Sequence, residues 1–144
     1  MNPSGDDERA LRALASAYAL HADRREGDCV AELFEPEATL RMTWRDGTVA
    51  SAESRGHRRI ASVIRRLEQF TSTFHLVANH TMAVEGDDAD GVVYCVAHHL
   101  SVVDGLGTDV VLYLRYLDRY RRTNRGWRFA DRETVVDWQE ERRI

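Results

Sequence analysis

Apolar residues along this chain change their spacing near Thr71. Before it they mostly recur every three to four positions, as in helices; after it they alternate or run on, as in strands. A first helix is predicted from about Asp6 to Arg25, with Ser4, Asp6 and Asp7 as capping and acidic first-turn groups and Gly27 as its stop. Its middle carries Leu11, Leu14, Tyr18, Leu20 and six alanines, which predicts burial on most sides. Asp28 caps a short helix through Phe34, and Pro36 ends it. Ala38, Leu40, Met42 and Trp44 then alternate with Thr39, Arg41, Thr43 and Arg45, a half-buried strand that closes at the Asp46-Gly47 turn. A third helix is expected over Gly56 to Phe70, with Ile60, Val63, Ile64 and Leu67 on one stripe.

Four strands follow, at about Thr73–Val84, Gly91–Val103, Asp109–Tyr120 and Trp127–Trp138. Gly86-Asp87, Asp104-Gly105 and Asn124 to Gly126 break them apart. Helices followed by a meander predict an α+β fold with helices on one face of an antiparallel sheet. Strands this long bend, and a bent sheet capped by helices encloses a cavity.

Composition narrows the partners. At 144 residues the chain is expected to form one domain, with an ordered core over about 7–138. Hydrophobic residues at 43% and charged residues at 31% suit a globule that needs no disulfide or metal staple. A net charge of −4 disfavours nucleic acid, and the arginines of Arg119 to Arg125 read as a solvated face. No apolar run approaches the ~20 residues of a membrane helix. The polar, acidic start from Met1 to Glu8 is no signal peptide, so a cytoplasmic location is expected. Cys29 and Cys95 lack zinc spacing, the histidines lack HxH or HExxH, and there is no P-loop, GxGxxG or GxSxG. Neither a metal nor a cofactor is expected.

Six positions carry candidate chemistry. Asp23 continues the Ala15, Ala19 row at the end of the first helix, where small residues leave room beside it. An acid there opposes the helix dipole, so it is either an ordinary surface aspartate or is held for another reason. His75 opens the first long strand and shares a face with Val77, Asn79 and Thr81. It reads either as a structural histidine or as half of an Asp–His pair, in which the carboxylate fixes the imidazole tautomer and the imidazole removes a proton. His98 and His99 are adjacent, so only one can enter a cavity; the pattern does not decide, and His98 is the expected one. Arg132 sits in an apolar strand, either clamping an oxyanion or pairing with an acid. Tyr18, with Trp44, Asn79 and Tyr94, is expected to line the pocket. His21, His57 and His80 carry no signal.

Five segments in order are similar to the SnoaL-like group of the nuclear-transport-factor-2-like superfamily, over about Asp7 to Trp138. They are YALHAD from Tyr18, LFEPEA from Leu33, GHRRI from Gly56, HLVAN from His75 and GWRFADR from Gly126. The resemblance implies a cone-shaped sheet with the pocket inside. Its dehydratase and dehydrochlorinase branches use an Asp–His dyad, which falls here on Asp23 and His75. Tyr18 and Arg132 also match the bile-acid dehydratase branch, whereas the dehydrochlorinase has a lysine at Tyr18. The implied function is a cofactor-free lyase or isomerase acting on a hydrophobic cyclic molecule such as a polyketide or steroid. Tyr18 or His98 would then serve a leaving hydroxyl or a carbonyl, and Arg132 an oxyanion. Two other activities are implied as alternatives. One is a non-catalytic binding or assembly module, like the small subunits of ring-hydroxylating dioxygenases. The other is epoxide hydrolysis through an Asp–Arg–Asp set, for which Asp131 beside Arg132 is the only hint. A homo-oligomer, dimer or trimer, is expected through the outer sheet face.

Overall fold

A computed structural model describes residues 2–144. Helix α1 spans Gly5–Asp23, and the Ser4 hydroxyl accepts the Asp7 amide to cap it. It buries one face only: Leu11, Leu14, Ala15, Tyr18, Ala19 and Ala22 point inward. Leu20 is exposed, as is Ala13, because an alanine left in water forfeits little apolar area. The expected all-round burial is therefore corrected. The chain leaves α1 through Arg25, at φ +58°, and not through Gly27. Gly27 instead opens α2 (Gly27–Ala31) against α3 (His57–Arg65), where a Cβ would come within 2.5 Å of the Ala61 carbonyl oxygen.

The second helix is shorter than expected. Phe34 opens strand β1 (Phe34–Trp44), because burying its ring against Phe129, 4.8 Å away between centroids, outweighs local helical preference. Strand β2 (Ala52–Arg55) has no sequence signature; its residues, AESR, lack apolar alternation and form a strand only by pairing on the edge of β1. The third helix ends at Arg65 and tightens into a 3-10 turn at Arg66–Gln69. Strands β3 (Ser72–Glu85), β4 (Asp88–Val103), β5 (Leu106–Thr123) and β6 (Gly126–Arg143) follow, with turns where the glycine breaks predicted them.

The sheet order is β2-β1-β6-β5-β4-β3. Every pair is antiparallel except β1 with β6, which run parallel. That is a departure from the wholly antiparallel expectation. The β1–β6 pair joins the two ends of the chain, so no hairpin dictates its direction. Across the inner face one row reads His75, Ala97, Leu112; across the outer face the next reads Phe74, His98, Val111. A bulge in β3 between Val77 and His80 swaps the alternation, so His80 faces inward and is buried while Asn79 is exposed. The helices cover the inner face. The outer face leaves Phe74, Leu76, Tyr94, Leu117 and Trp138 exposed, with Tyr113 stacked on Trp138 at 4.6 Å. No described helix is long and apolar enough to cross a membrane.

Candidate active site

Between α1, α3 and the inner sheet face lies a cavity of about 420 Å³. Its wall is mostly apolar, with Leu40, Met42 and Trp44 from β1, Leu112 and Leu114 from β5, and Ala22 from α1. Such a cavity suits a small, largely hydrophobic molecule held by a few convergent polar groups.

The polar groups converge from three elements. His75 Nδ1 donates to Asp23 Oδ1 at 2.6 Å. Asp23 Oδ1 also accepts from the Thr73 hydroxyl at 3.0 Å, and its Oδ2 accepts from the His75 backbone amide at 3.0 Å. Partial burial pushes the Asp23 carboxyl up, but the bonds from His75 and Thr73 outweigh it and hold Asp23 below the usual carboxylate range. Asp23 is thus an anion at neutral pH. It fixes the imidazole with Nδ1 protonated, which leaves Nε2 of His75, a cavity-lining residue, as the available base. Arg25 braces the pair: its guanidinium donates to the Asp23 carbonyl at 2.8 Å and the Phe70 carbonyl at 3.1 Å, tying the end of α1 to the end of the 3-10 turn.

His99, not His98, enters the cavity. His99 follows the inner row of β4; its ring is 5.9 Å from His75 and 4.9 Å from Phe70. Burial, with His75 nearby, lowers its pKa, so it is neutral, and its Nδ1 donates to the Val110 carbonyl at 3.2 Å. Its Nε2 is left as an acceptor. His98 lies on the outer face, bonded to Asp109 at 2.7 Å. Adjacent strand residues face opposite ways, so one correction entails the other. Tyr94 is on the outer face too, in the same row alternation as His98, with Arg115 over its ring. Asn79 is excluded by the β3 bulge. Tyr18 and Trp44 line the cavity.

Arg132 does not line the cavity. It is fully buried and makes a bidentate pair with Asp118, at 2.7 and 2.8 Å. Its guanidinium lies 4.4 Å from the Tyr18 ring centre, 3.8 Å from that of Tyr116 and 4.3 Å from that of Phe129. A chain continues beyond it: Tyr120 donates to Asp118 at 2.8 Å, and His80 Nε2 meets the Tyr120 hydroxyl at 3.0 Å. Burial drives His80 down to about 4, so it is neutral, and its Nε2–H donates to Tyr120. The oxyanion-clamp expectation for Arg132 is replaced by a structural role beneath Tyr18. Burial pushes the Tyr18 phenol up to about 12 against the pull of Arg132, so it stays a proton donor.

Sequence reasoning missed Asp118 as a site-shaping residue and preferred His98 where the structure brings in His99. Asp118 lies in β5 between Leu117 and Arg119 and carries no local signal. His99 was identifiable only from the register that pairs it with Val110 and Thr73. Among the described residues no carboxylate lines the cavity, and Asp131 sits on the other side of its strand near Arg41, so the water-activating Asp–Arg–Asp set is not assembled there.

A curled sheet, capping helices and a pocket between them are the features of the nuclear-transport-factor-2-like class. The chain belongs to the SnoaL-like domain family, whose model matches residues 4–133. Among curated proteins none matches the sequence. A protein of Novosphingobium aromaticivorans assigned as an aromatic ring hydroxylase is similar in structure, with a TM-score of 0.83, 22% identity and coverage of 98% of this chain and 96% of that one. One from the same organism, assigned as a scytalone dehydratase, matches with a TM-score of 0.79, 19% identity and coverage of 96% and 89%. A type 2 hexachlorocyclohexane dehydrochlorinase matches at 0.75 and 17%, covering 96% and 93%. At these identities the likeness shows the fold.

Proposed function

We propose that this chain is a cofactor-independent lyase or isomerase, of dehydratase type, acting on a hydrophobic cyclic molecule such as a polyketide or steroid. One observation carries the reading: an ionised Asp23 holds His75 at 2.6 Å with its second ring nitrogen left for the cavity. His75 Nε2 takes a proton from a carbon acidified by a neighbouring carbonyl or ring, and Asp23 stabilises the imidazolium. In a dehydration the C–H electron pair becomes the new double bond. The leaving hydroxyl departs as water with a proton from Tyr18, which recovers it from His75. His99, in place of His98, accepts a hydrogen bond from a substrate hydroxyl. Arg132 acts only by positioning Tyr18.

The test is incubation with a panel of hydroxylated cyclic ketones and polyketides in D₂O. Protein-dependent loss of water, or deuterium appearing at carbon, supports the reading. Saturable binding with neither would show a binding module instead.

We also propose that the outer sheet face joins copies of this chain. The support is a contiguous exposed group, with Phe74 62% and Trp138 56% exposed, on the side away from the cavity. Light scattering should give a mass of two or three chains, falling to one in Leu76→Asp. A monomeric wild type would refute this, and copurification with an unrelated large subunit would favour an assembly role.

A further inference from the structure

The rim of the cavity carries a charge that the dyad chemistry does not use. Arg66, in the 3-10 turn, lines the cavity and is exposed at its mouth. Among the described residues no carboxylate lies within salt-bridge reach of it and no side-chain hydrogen bond engages it, whereas most arginines of this chain are paired. Among the described residues no aspartate or glutamate lines the cavity. His99 is neutral there, which leaves Arg66 as the fixed charge of the lining.

The uncharged polar groups around it add donors. Trp44 Nε1 can only donate, and at 3.3 Å it meets Gln139 Oε1. That contact uses the amide oxygen and leaves the Gln139 NH₂ to donate. Gln139, Trp44 and Ser54 all line the cavity, and Gln69 comes from the same turn as Arg66. The mouth thus offers a guanidinium and amide hydrogens above an apolar interior. An acidic or strongly basic ligand would be sorted there by charge.

We infer that Arg66 is an anion-recognition subsite, and that the molecule the cavity takes is an apolar ring compound bearing an oxyanion group, a carboxylate or sulfonate. This rests on the cavity being the substrate site. Two oxygens of a carboxylate or sulfonate can meet the guanidinium fork with two parallel hydrogen bonds, while the ring body fills the apolar part. The neutral parent of such a molecule would bind through burial alone.

A matched pair of fluorescent probes tests it: 8-anilinonaphthalene-1-sulfonate, and N-phenyl-1-naphthylamine, the same skeleton without the sulfonate. The neutral probe should displace the anion, placing both in one cavity. Arg66→Gln should weaken the sulfonate about fivefold at low salt, as expected for an exposed ion pair, and leave the neutral probe unchanged. Added salt should erase the wild-type difference. Equal binding of the sulfonate by wild type and Arg66→Gln, or equal weakening of both probes, would overturn the subsite. Neither outcome touches proton abstraction, which is read from His75 and Asp23 variants. Failure of both probes to bind the wild type would overturn the subsite and the open apolar cavity together.

Discussion

His75→Ala should lower turnover of a confirmed substrate by about 10³–10⁴-fold and Asp23→Asn by about 10²–10⁴-fold, the range a positioned acid–base group contributes. The two losses should not multiply in the double variant, because Asp23 acts through His75. Binding of a neutral ligand should change little, since the cavity wall is apolar and neither substitution empties it. Steady-state kinetics with parallel binding titrations separates the two. If both variants keep near-normal turnover, no proton passes through this pair. The pH dependence has a defined sign. Asp23 is held below the ordinary carboxylate range, so the anion persists to lower pH than in the unfolded chain. Its contribution to stability is complete above the unfolded value, roughly 3.9, and is lost as pH falls through the lower folded value. Asp23→Asn should therefore flatten the acid limb of the stability profile.

Arg132→Met should destabilise the fold by about 3–5 kcal/mol, read from urea denaturation, because it leaves the Asp118 carboxylate buried without its cation. Asp118→Leu should cost a similar amount by stranding the guanidinium. Together the two should cost about 2 kcal/mol less than the sum of the single losses, since an apolar pair carries no unpaired charge. Turnover should fall in Arg132→Met through displacement of Tyr18, whose ring lies 4.4 Å from the guanidinium. Strict additivity would mean that the pair is not coupled, and an unchanged Tyr18 environment with lost turnover would give Arg132 a direct role.

The α+β class, the three helices and the four long strands were legible because each depends on local spacing and on turn glycines that act within a few residues. The resemblance placed Asp23 beside His75, which 52 residues of chain separate and no spacing rule connects. Among the places where local pattern failed, three show a tertiary reason plainly. Strand β2 exists only because β1 offers an edge. Phe34 leaves its helix because Phe129 is there to bury it. Asn79 turns outward because one bulge shifts the period of β3 by a residue.

By itself the sequence determined most of the segments that are helix and strand and that a bent sheet would be capped from one side, and it offered Asp23, His75 and the adjacent His98 and His99 as candidates for a cavity. Tertiary structure decided which side chains enter it. Register chose His99 over His98, because a strand shows alternate residues to alternate faces and nothing local marks which face is inner. The fold decided Arg132 as well: a buried guanidinium must be neutralised, and the acid that does so, Asp118, reaches it only across the β5–β6 pairing.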